Sequence, residues 1–141
     1  PVADVFHAHP RPDRSVILVG GERTPSDALV GPVACASLRA VHLDRVFMGV
    51  HGMHERAGFT TPNLSEADTN KAFVDSTDEL VVLADHTKWG VTGLATIARL
   101  SDAAVCVTDD GLADDARGVL SSAVGRLVVT SPDLIHDSRS A

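Results

Sequence analysis

Asp85 and Lys88 are the residues whose types and positions point most directly to binding chemistry. They follow an apolar run, residues 80–84, of the kind found in buried parallel strands. Ligands of parallel sheets bind beyond the carboxyl ends of the strands. A lysine there can hold a phosphate or a hydroxyl, and an aspartate can orient it. Asp85 could equally cap a helix beside a solvated lysine, so position alone leaves both interpretations open.

Glu66 and Lys71 are two further charged candidates on a helix that begins near Asn63. Lys71 shares its helical face with apolar residues, namely Leu64, Ala67 and Val74. Either the lysine stem is buried with its ammonium in water, or the cation points into a site. Glu66 lies in the first turn, where a carboxylate also stabilises the helix electrostatically.

Small residues and a histidine mark two other predicted strand ends. Gly20-Gly21 would let the backbone approach a ligand closely, although such a pair more often forms only a turn. Gly49, His51 and Gly52 follow or end the next strand, and His51 is a candidate for hydrogen bonding. These glycines and His51 therefore join the predicted site.

The sequence gives no motif for a metal, a dinucleotide or a serine nucleophile. His51 and His54 are three apart and His7 and His9 are two apart, but neither pair has Cys partners or the His-Glu-x-x-His order. No Gly-x-Gly-x-x-Gly and no Gly-x-Ser-x-Gly is present. We therefore predict no metal site, no cofactor and no catalytic residue.

The elements that must position these residues alternate between strands and helices. Strands are predicted at residues 14–19, 44–50, 80–84, 92–100, 104–108 and 126–130, and residues 51–53 are predicted as a loop. Helices are predicted at residues 1–9, 32–41, from Asn63 onward and at 112–124. This order predicts an α/β fold with a mostly parallel sheet flanked by helices.

The composition limits the classes of partner that the chain can bind. The net charge is -7 and no run of Lys or Arg offsets it, so the chain by itself is a poor nucleic-acid binder. A small anionic ligand needs only one or two local cations. No apolar run approaches 18 residues and no signal-peptide pattern is present, which predicts a cytoplasmic protein that does not enter a membrane. Cys35 and Cys106 are predicted to be reduced core thiols.

The 141 residues predict one domain over residues 1–130 and a polar tail over 131–141. The chain begins within a predicted helix and has no initiator Met. We therefore expect it to be part of a longer protein.

Five segments taken together resemble one protein family. In order, they are residues 44–52, 58–67, 70–72, 83–89 and 107–109, preceded by Gly20-Gly21 and by Leu29-Val30-Gly31-Pro32. Their order and spacing resemble the C-terminal effector-sensing domain of DeoR-family transcriptional repressors. The likeness covers nearly the whole chain.

The resemblance implies an α/β fold similar to ribose-5-phosphate isomerase, truncated here at its N-terminus. It implies binding of a phosphorylated sugar or a similar anionic metabolite. In the family, such binding controls how a separate N-terminal helix-turn-helix domain binds its operator, and the regulators form homo-oligomers. DNA would then be contacted only through a domain that lies outside this chain.

The resemblance also suggests roles for the candidate residues. Lys88 and Lys71 would hold the anion or a sugar oxygen, and the hydroxyls would be bound by Asp85, Glu66 and His51. The floor would be shaped by Gly20, Gly21, Gly49 and Gly52. His51 stands where many members have Asp or Asn, and the family's first sensor strand, with its phosphate-binding loop, has no counterpart in this sequence.

Two alternatives accompany this interpretation. A sugar-phosphate isomerase is similar, but its proton-transferring Glu corresponds to Asn70, and an amide has no usable basic site. The other alternative is an oligomerisation module that has lost its ligand, with a pocket filled by side chains such as Met53 or Trp89.

Overall fold

A computed structural model describes residues 2–131, so all but the first residue of the predicted tail at 131–141 lies outside the described residues. The helices are α1 (Val2–Ala8), α2 (Pro32–Arg39), α3 (Leu64–Asp75) and α4 (Asp114–Ala123). The strands are β1 (Glu22–Arg23), β2 (Leu29–Val30), β3 (Leu43–Gly49), β4 (Gly52–His54), β5 (Gly58–Thr61), β6 (Thr77–Leu83), β7 (Ala95–Ala98), β8 (Val105–Asp109) and β9 (Leu127–Thr130). Two short 3₁₀ turns span His86–Lys88 and Leu100–Asp102.

The central sheet is parallel and has the strand order β3-β6-β8-β9. Its strands coincide with the apolar runs predicted at 44–50, 80–84, 104–108 and 126–130. Strands buried by helices on a parallel sheet read as continuous apolar runs, which is why the sequence located them well. The predicted α/β class with a parallel sheet flanked by helices is confirmed.

A second sheet is antiparallel, with the order β4-β5-β7. The expected strand at 92–100 is confirmed as β7, but residues 51–53 are not simply a loop, because Gly52–His54 form β4. Strand β5 was not predicted at all. At Gly58, φ is 72° and a Cβ would lie 2.2 Å from the carbonyl oxygen of Ala98, so this strand needs a residue that a strand pattern normally excludes.

The strand predicted at 14–19 is wrong. The segment forms no strand, and Val16, Ile17 and Leu18 are 48%, 85% and 65% exposed. An apolar run becomes a buried strand only when a neighbouring strand pairs with its backbone groups. No strand among the described residues pairs with this segment, so its apolar composition was misleading.

Helices α2 and α3 begin where the sequence predicted, whereas α4 begins at Asp114 rather than at 112. Pro32 opens α2 at the first helical position, and the helix ends at Arg39 rather than 41. Asn63 caps α3, because its side chain accepts a hydrogen bond from the backbone N–H of Glu66 at 3.1 Å. The predicted N-terminal and C-terminal helices are confirmed as α1 and α4.

The two sheets share one hydrophobic core. Its fully buried members include Met53 and Phe59 from the antiparallel sheet, Val82 and Cys106 from the parallel sheet, and Leu120 from α4. Cys35 and Cys106 are buried free thiols, as predicted, and burial raises the pKa of Cys106 to about 11. The antiparallel sheet is thereby fixed to the parallel one. Within residues 2–131, no helix combines the length and apolarity needed to cross a membrane.

Candidate functional site

Parallel pairing brings three chain segments to one edge of the central sheet. Gly49 at the end of β3 pairs with Leu83 of β6, and Leu83 pairs with Val107 of β8. The residues that follow these three positions therefore emerge together at the carboxyl edge. Sites of α/β sheets form at this edge, and several of the predicted site residues lie there.

A cavity of about 540 Å³ lies at the end of β3, and we call it the β3-end cavity. Its lining combines residues 49–51 with the start of α3, the connection before that helix and the loop between β1 and β2. The lining residues are Pro25, Ser26, Gly49, Val50, His51, Thr61, Pro62, Asn63, Glu66, Asn70 and Ile97. Three of the predicted site residues, Gly49, His51 and Glu66, meet here.

Glu66 is the best-anchored polar group of the cavity. One carboxylate oxygen accepts a hydrogen bond from the hydroxyl of Ser26 at 2.6 Å, and the other accepts one from the hydroxyl of Thr61 at 3.2 Å. Its place in the first turn of α3 suits an anion, because the helix dipole is positive there. Each oxygen of a carboxylate has two acceptor positions. Glu66 therefore keeps capacity to accept from ligand hydroxyls.

His51 and the glycines occupy different positions. The backbone N–H of His51 donates to the carbonyl of Thr60 at 3.1 Å, which leaves its exposed side chain at the cavity. Gly52 instead allows close packing, because a Cβ there would lie 2.2 Å from the carbonyl oxygen of Val91. Gly21 likewise packs against the backbone of Val30, and neither it nor Gly20 lines the β3-end cavity.

A second group of polar residues lies at the ends of β6 and β8, and we call it the strand-end cluster: Asp85, His86, Lys88 and Asp109. Asp85 caps the 3₁₀ turn, since it accepts from the backbone N–H of Thr87 at 2.9 Å and from the hydroxyl of the same residue. The Thr87 hydroxyl is the main cause that lowers the pKa of Asp85, and the Lys88 charge acts in the same direction. The capping role is thus observed, and it uses only one of the two carboxylate oxygens.

Asp109 connects the two strand ends. Its carboxylate accepts from the backbone N–H of His86 at 2.9 Å and from that of Gly111 at 2.9 Å, and it lies 2.6 Å from the Nδ1 of His86. These bonds, the backbone N–H of His86 first among them, lower the pKa of Asp109. Neither Asp109 nor His86 was among the predicted site residues.

Lys71 does not join either group. It is exposed and lines a separate groove of about 740 Å³ between α2 and α3, together with residues such as Arg39, Asp68 and Asp75. Helical periodicity identified the face of α3 that carries Lys71, but it could not show that this face lies beside α2. The structure therefore brings Lys88, and not Lys71, to the carboxyl edge.

The structure adds polar groups that sequence reasoning missed. Ser26 lies 40 positions before Glu66, and nothing in the sequence links the two. Thr61 lies two residues before the cap residue of α3, which is a weak local signal for a contact with the first helical turn. A larger groove, of about 810 Å³, lies between the β4–β5 turn and α4, and its lining includes none of the predicted site residues.

Comparison with known proteins places these features in a family. A family model described as the DeoR C-terminal sensor domain matches residues 1–110. The HTH-type transcriptional regulator GlpR of Haloferax volcanii is 33% identical over 112 residues, which are 79% of this chain and 44% of that protein. The HTH-type transcriptional regulator GolR of Listeria innocua is 34% identical over 100 residues, 70% of this chain and 39% of that protein.

A third relative is the transcriptional repressor AccR of Agrobacterium fabrum, which is 29% identical over 100 residues, 70% of this chain and 39% of that protein. The chain thus spans less than half the length of these relatives. They are transcriptional regulators by name and not enzymes, so the isomerase alternative is not retained. The resemblance found in the sequence is confirmed.

The hydrogen bonds to Asp109 generate a prediction about acid stability. The pKa of Asp109 is lower in the folded chain than in the unfolded chain, so the unfolded state binds more protons at acidic pH. The Asp109 carboxylate therefore contributes its full stabilisation above the unfolded pKa of about 3.9. That contribution is lost as the pH falls through the folded pKa. We expect Asp109→Asn to flatten the fall in urea midpoint between about pH 5 and pH 3, relative to the wild type.

Asp44→Asn is the matched control, because it changes an exposed carboxylate that accepts no hydrogen bond from any described residue. Its urea midpoints should follow those of the wild type. Parallel curves for the wild type and Asp109→Asn would show that the Asp109 bonds do not contribute to stability.

Proposed function

The chain belongs to the DeoR C-terminal sensor domain family, and on this premise we propose that it binds a phosphorylated sugar or a similar anionic metabolite at the carboxyl edge of its parallel sheet. Binding would change the operator affinity of a helix-turn-helix domain elsewhere in the protein. The protein would act in the cytoplasm as a homo-oligomer. The chain itself would contribute effector recognition and no DNA contact.

One observation carries this proposal, namely the anchored carboxylate of Glu66 in the β3-end cavity. Two hydroxyl donors hold it, and Asn63 and Asn70 add amide groups to the same lining. Carboxylates and amides together offer the acceptors and donors that a polyol needs. A sugar therefore matches this cavity better than an apolar ligand, which would leave the polar lining without partners.

Lys88 is the proposed contact for the anionic group. It is half-buried at the end of the 3₁₀ turn, and its ammonium is close enough to Asp85 to affect the pKa of that carboxyl. A cation at the carboxyl edge suits phosphate recognition. Lys71, which faces the groove between α2 and α3, is not retained in this role.

Asn70 supports binding without catalysis. It lines the β3-end cavity one helical turn after Glu66. An amide cannot abstract a carbon-bound proton at neutral pH, because it has no basic site in that range. The carboxylate of Glu66 is the acidic group of this lining, and it already accepts hydrogen bonds from two hydroxyls.

The regulatory part of the proposal requires two conformations with different effector affinity. Glu66 is placed to couple them, because its partners Ser26 and Thr61 belong to the β1–β2 loop and to β5. A ligand that engages the carboxylate would act on three segments at once. Coupling between two binding sites is reciprocal. The factor by which the effector changes the affinity for operator DNA should therefore equal the factor by which operator DNA changes the affinity for the effector.

We expect Glu66→Gln to weaken sugar-phosphate binding about ten-fold or more, since a hydrogen bond to a charged group contributes about 1.5–3 kcal/mol. The amide keeps the size of the side chain and removes its charge. Calorimetric titration with a panel of pentose and hexose phosphates measures the effect. Saturation at 100 times Kd should also stabilise the wild type by about 2.7 kcal/mol.

Asp68→Asn is the control for Glu66→Gln, because Asp68 is on the same helix but lines the groove between α2 and α3. It should leave the affinity unchanged. Equal affinities for the wild type and Glu66→Gln would remove the β3-end cavity from the proposal. Absence of binding by every sugar phosphate would contradict the proposed function as a whole.

A second pair of variants tests the anion contact. We expect Lys88→Ala to weaken sugar-phosphate binding about ten-fold or more, because it removes a cation from the phosphate, and to leave binding of the matching unphosphorylated sugar unchanged. Lys71→Ala makes the same truncation in the other groove and should bind as the wild type does. The reverse ranking of the two lysines would assign the anion to the groove between α2 and α3.

A further inference from the structure

The ring of His86 is held more rigidly than an exposed histidine needs to be. Its Nδ1 lies 2.6 Å from one oxygen of Asp109, and its backbone N–H donates to the other oxygen at 2.9 Å. The ring also packs against the backbone of Gly111, where a Cβ would lie 2.6 Å from Nδ1. The end of β6 and the loop after β8 together fix the plane of this imidazole.

This arrangement determines which ring nitrogen is available. A carboxylate can only accept, so Nδ1 carries the proton and donates it to Asp109. In the neutral ring Nε2 is then an acceptor. The side chain is 47% exposed, and no hydrogen bond from Nε2 to any residue in 2–131 is present. One polar atom of a fixed ring is therefore directed to solvent at the carboxyl edge.

Other groups converge on the same place. One side-chain oxygen or nitrogen atom from each of Asp85, His86 and Asp109 lies within 4.8 Å of the other two. Lys88 is the last residue of the same 3₁₀ turn as His86. The surrounding charge is negative overall, because Asp85, Asp109 and the neighbouring Asp110 outnumber Lys88. Nε2 is an acceptor and therefore needs a donor as its partner, which a sugar hydroxyl provides and an ionised phosphate oxygen does not.

From this geometry we infer that His86 recognises a hydroxyl of the effector through Nε2, with Asp109 as the residue that positions the ring. The inference rests on the proposed function and deepens it. It divides the recognition of one ligand between an anion contact at Lys88 and hydroxyl contacts at His86 and the β3-end cavity. It also makes His86 a determinant of which sugar the site accepts.

A purely structural role is the competing interpretation, in which His86 only ties the two strand ends together. The two roles use different atoms of the ring: Nδ1 makes the tie and Nε2 makes the proposed contact. Two amide substitutions separate them. In His86→Asn the side-chain amide nitrogen replaces Nδ1 and nothing replaces Nε2, whereas in His86→Gln the amide reaches the position of Nε2 and the tie to Asp109 is lost.

The experiment titrates the full-length protein by calorimetry with ribose 5-phosphate, fructose 1-phosphate and glucose 6-phosphate, and records the melting temperature without ligand. For the sugar phosphate that binds the wild type most tightly, His86→Asn should lower the affinity about ten-fold and leave the melting temperature nearly unchanged. His86→Gln should lower the melting temperature by several degrees and keep the affinity within about three-fold.

A monodeoxy analogue of the same sugar phosphate completes the test. If Nε2 contacts the deleted hydroxyl, the wild type and His86→Asn should bind that analogue equally well. The inference would be overturned if His86→Asn bound the parent sugar phosphate as tightly as the wild type does. It would also be overturned if, in both variants, the loss of affinity paralleled the loss of melting temperature. Either result would leave the proposed function standing. Failure of the wild type to bind all three probes would overturn both.

Discussion

Parallel pairing of β3, β6 and β8 is the constraint on which the rest of this domain depends. Because Gly49, Leu83 and Val107 are in register, the three chain segments that follow them emerge at one edge of the sheet. Buried apolar side chains fix that register, since Val82 and Cys106 lie in the core with no exposed surface. A shift by one residue would reverse the faces of these side chains, so the position of the site is as stable as the core itself.

The polar residues at this edge form two groups with different supports. Glu66 is held by hydroxyls from the β1–β2 loop and from β5, whereas His86 is held by the carboxylate of the last residue of β8. In both groups a hydrogen-bonded partner fixes the side chain and leaves acceptor capacity free. Preorganised acceptors of this kind lower the ordering cost of binding, which suits a sensor domain. The family membership gives such a sensor its context.

Sequence reasoning succeeded where a local pattern was sufficient. Continuous apolar runs located β3, β6, β8 and β9 within one to three residues, and the start of α3 was placed correctly near Asn63. It failed where the outcome depended on a distant partner. Residues 14–19 have the composition of a strand, but no strand pairs with them among residues 2–131. Strand β5 contains Gly58, which is required because the carbonyl oxygen of Ala98 leaves no room for a Cβ. The same limit applies to the site: Ser26 reaches Glu66 across 40 positions, and Lys71 faces α2 rather than the cavity.

The central claim is that a sugar phosphate binds at the carboxyl edge of the parallel sheet. Hydrogen–deuterium exchange of the full-length protein, with and without a saturating sugar phosphate, tests it most directly, because it locates a ligand without any substitution. Binding at this edge should slow exchange in residues 24–28, 49–52, 60–66 and 84–88, and leave exchange in α4 unchanged. Protection confined to α4 and the β4–β5 turn, which line the larger groove, would contradict the account.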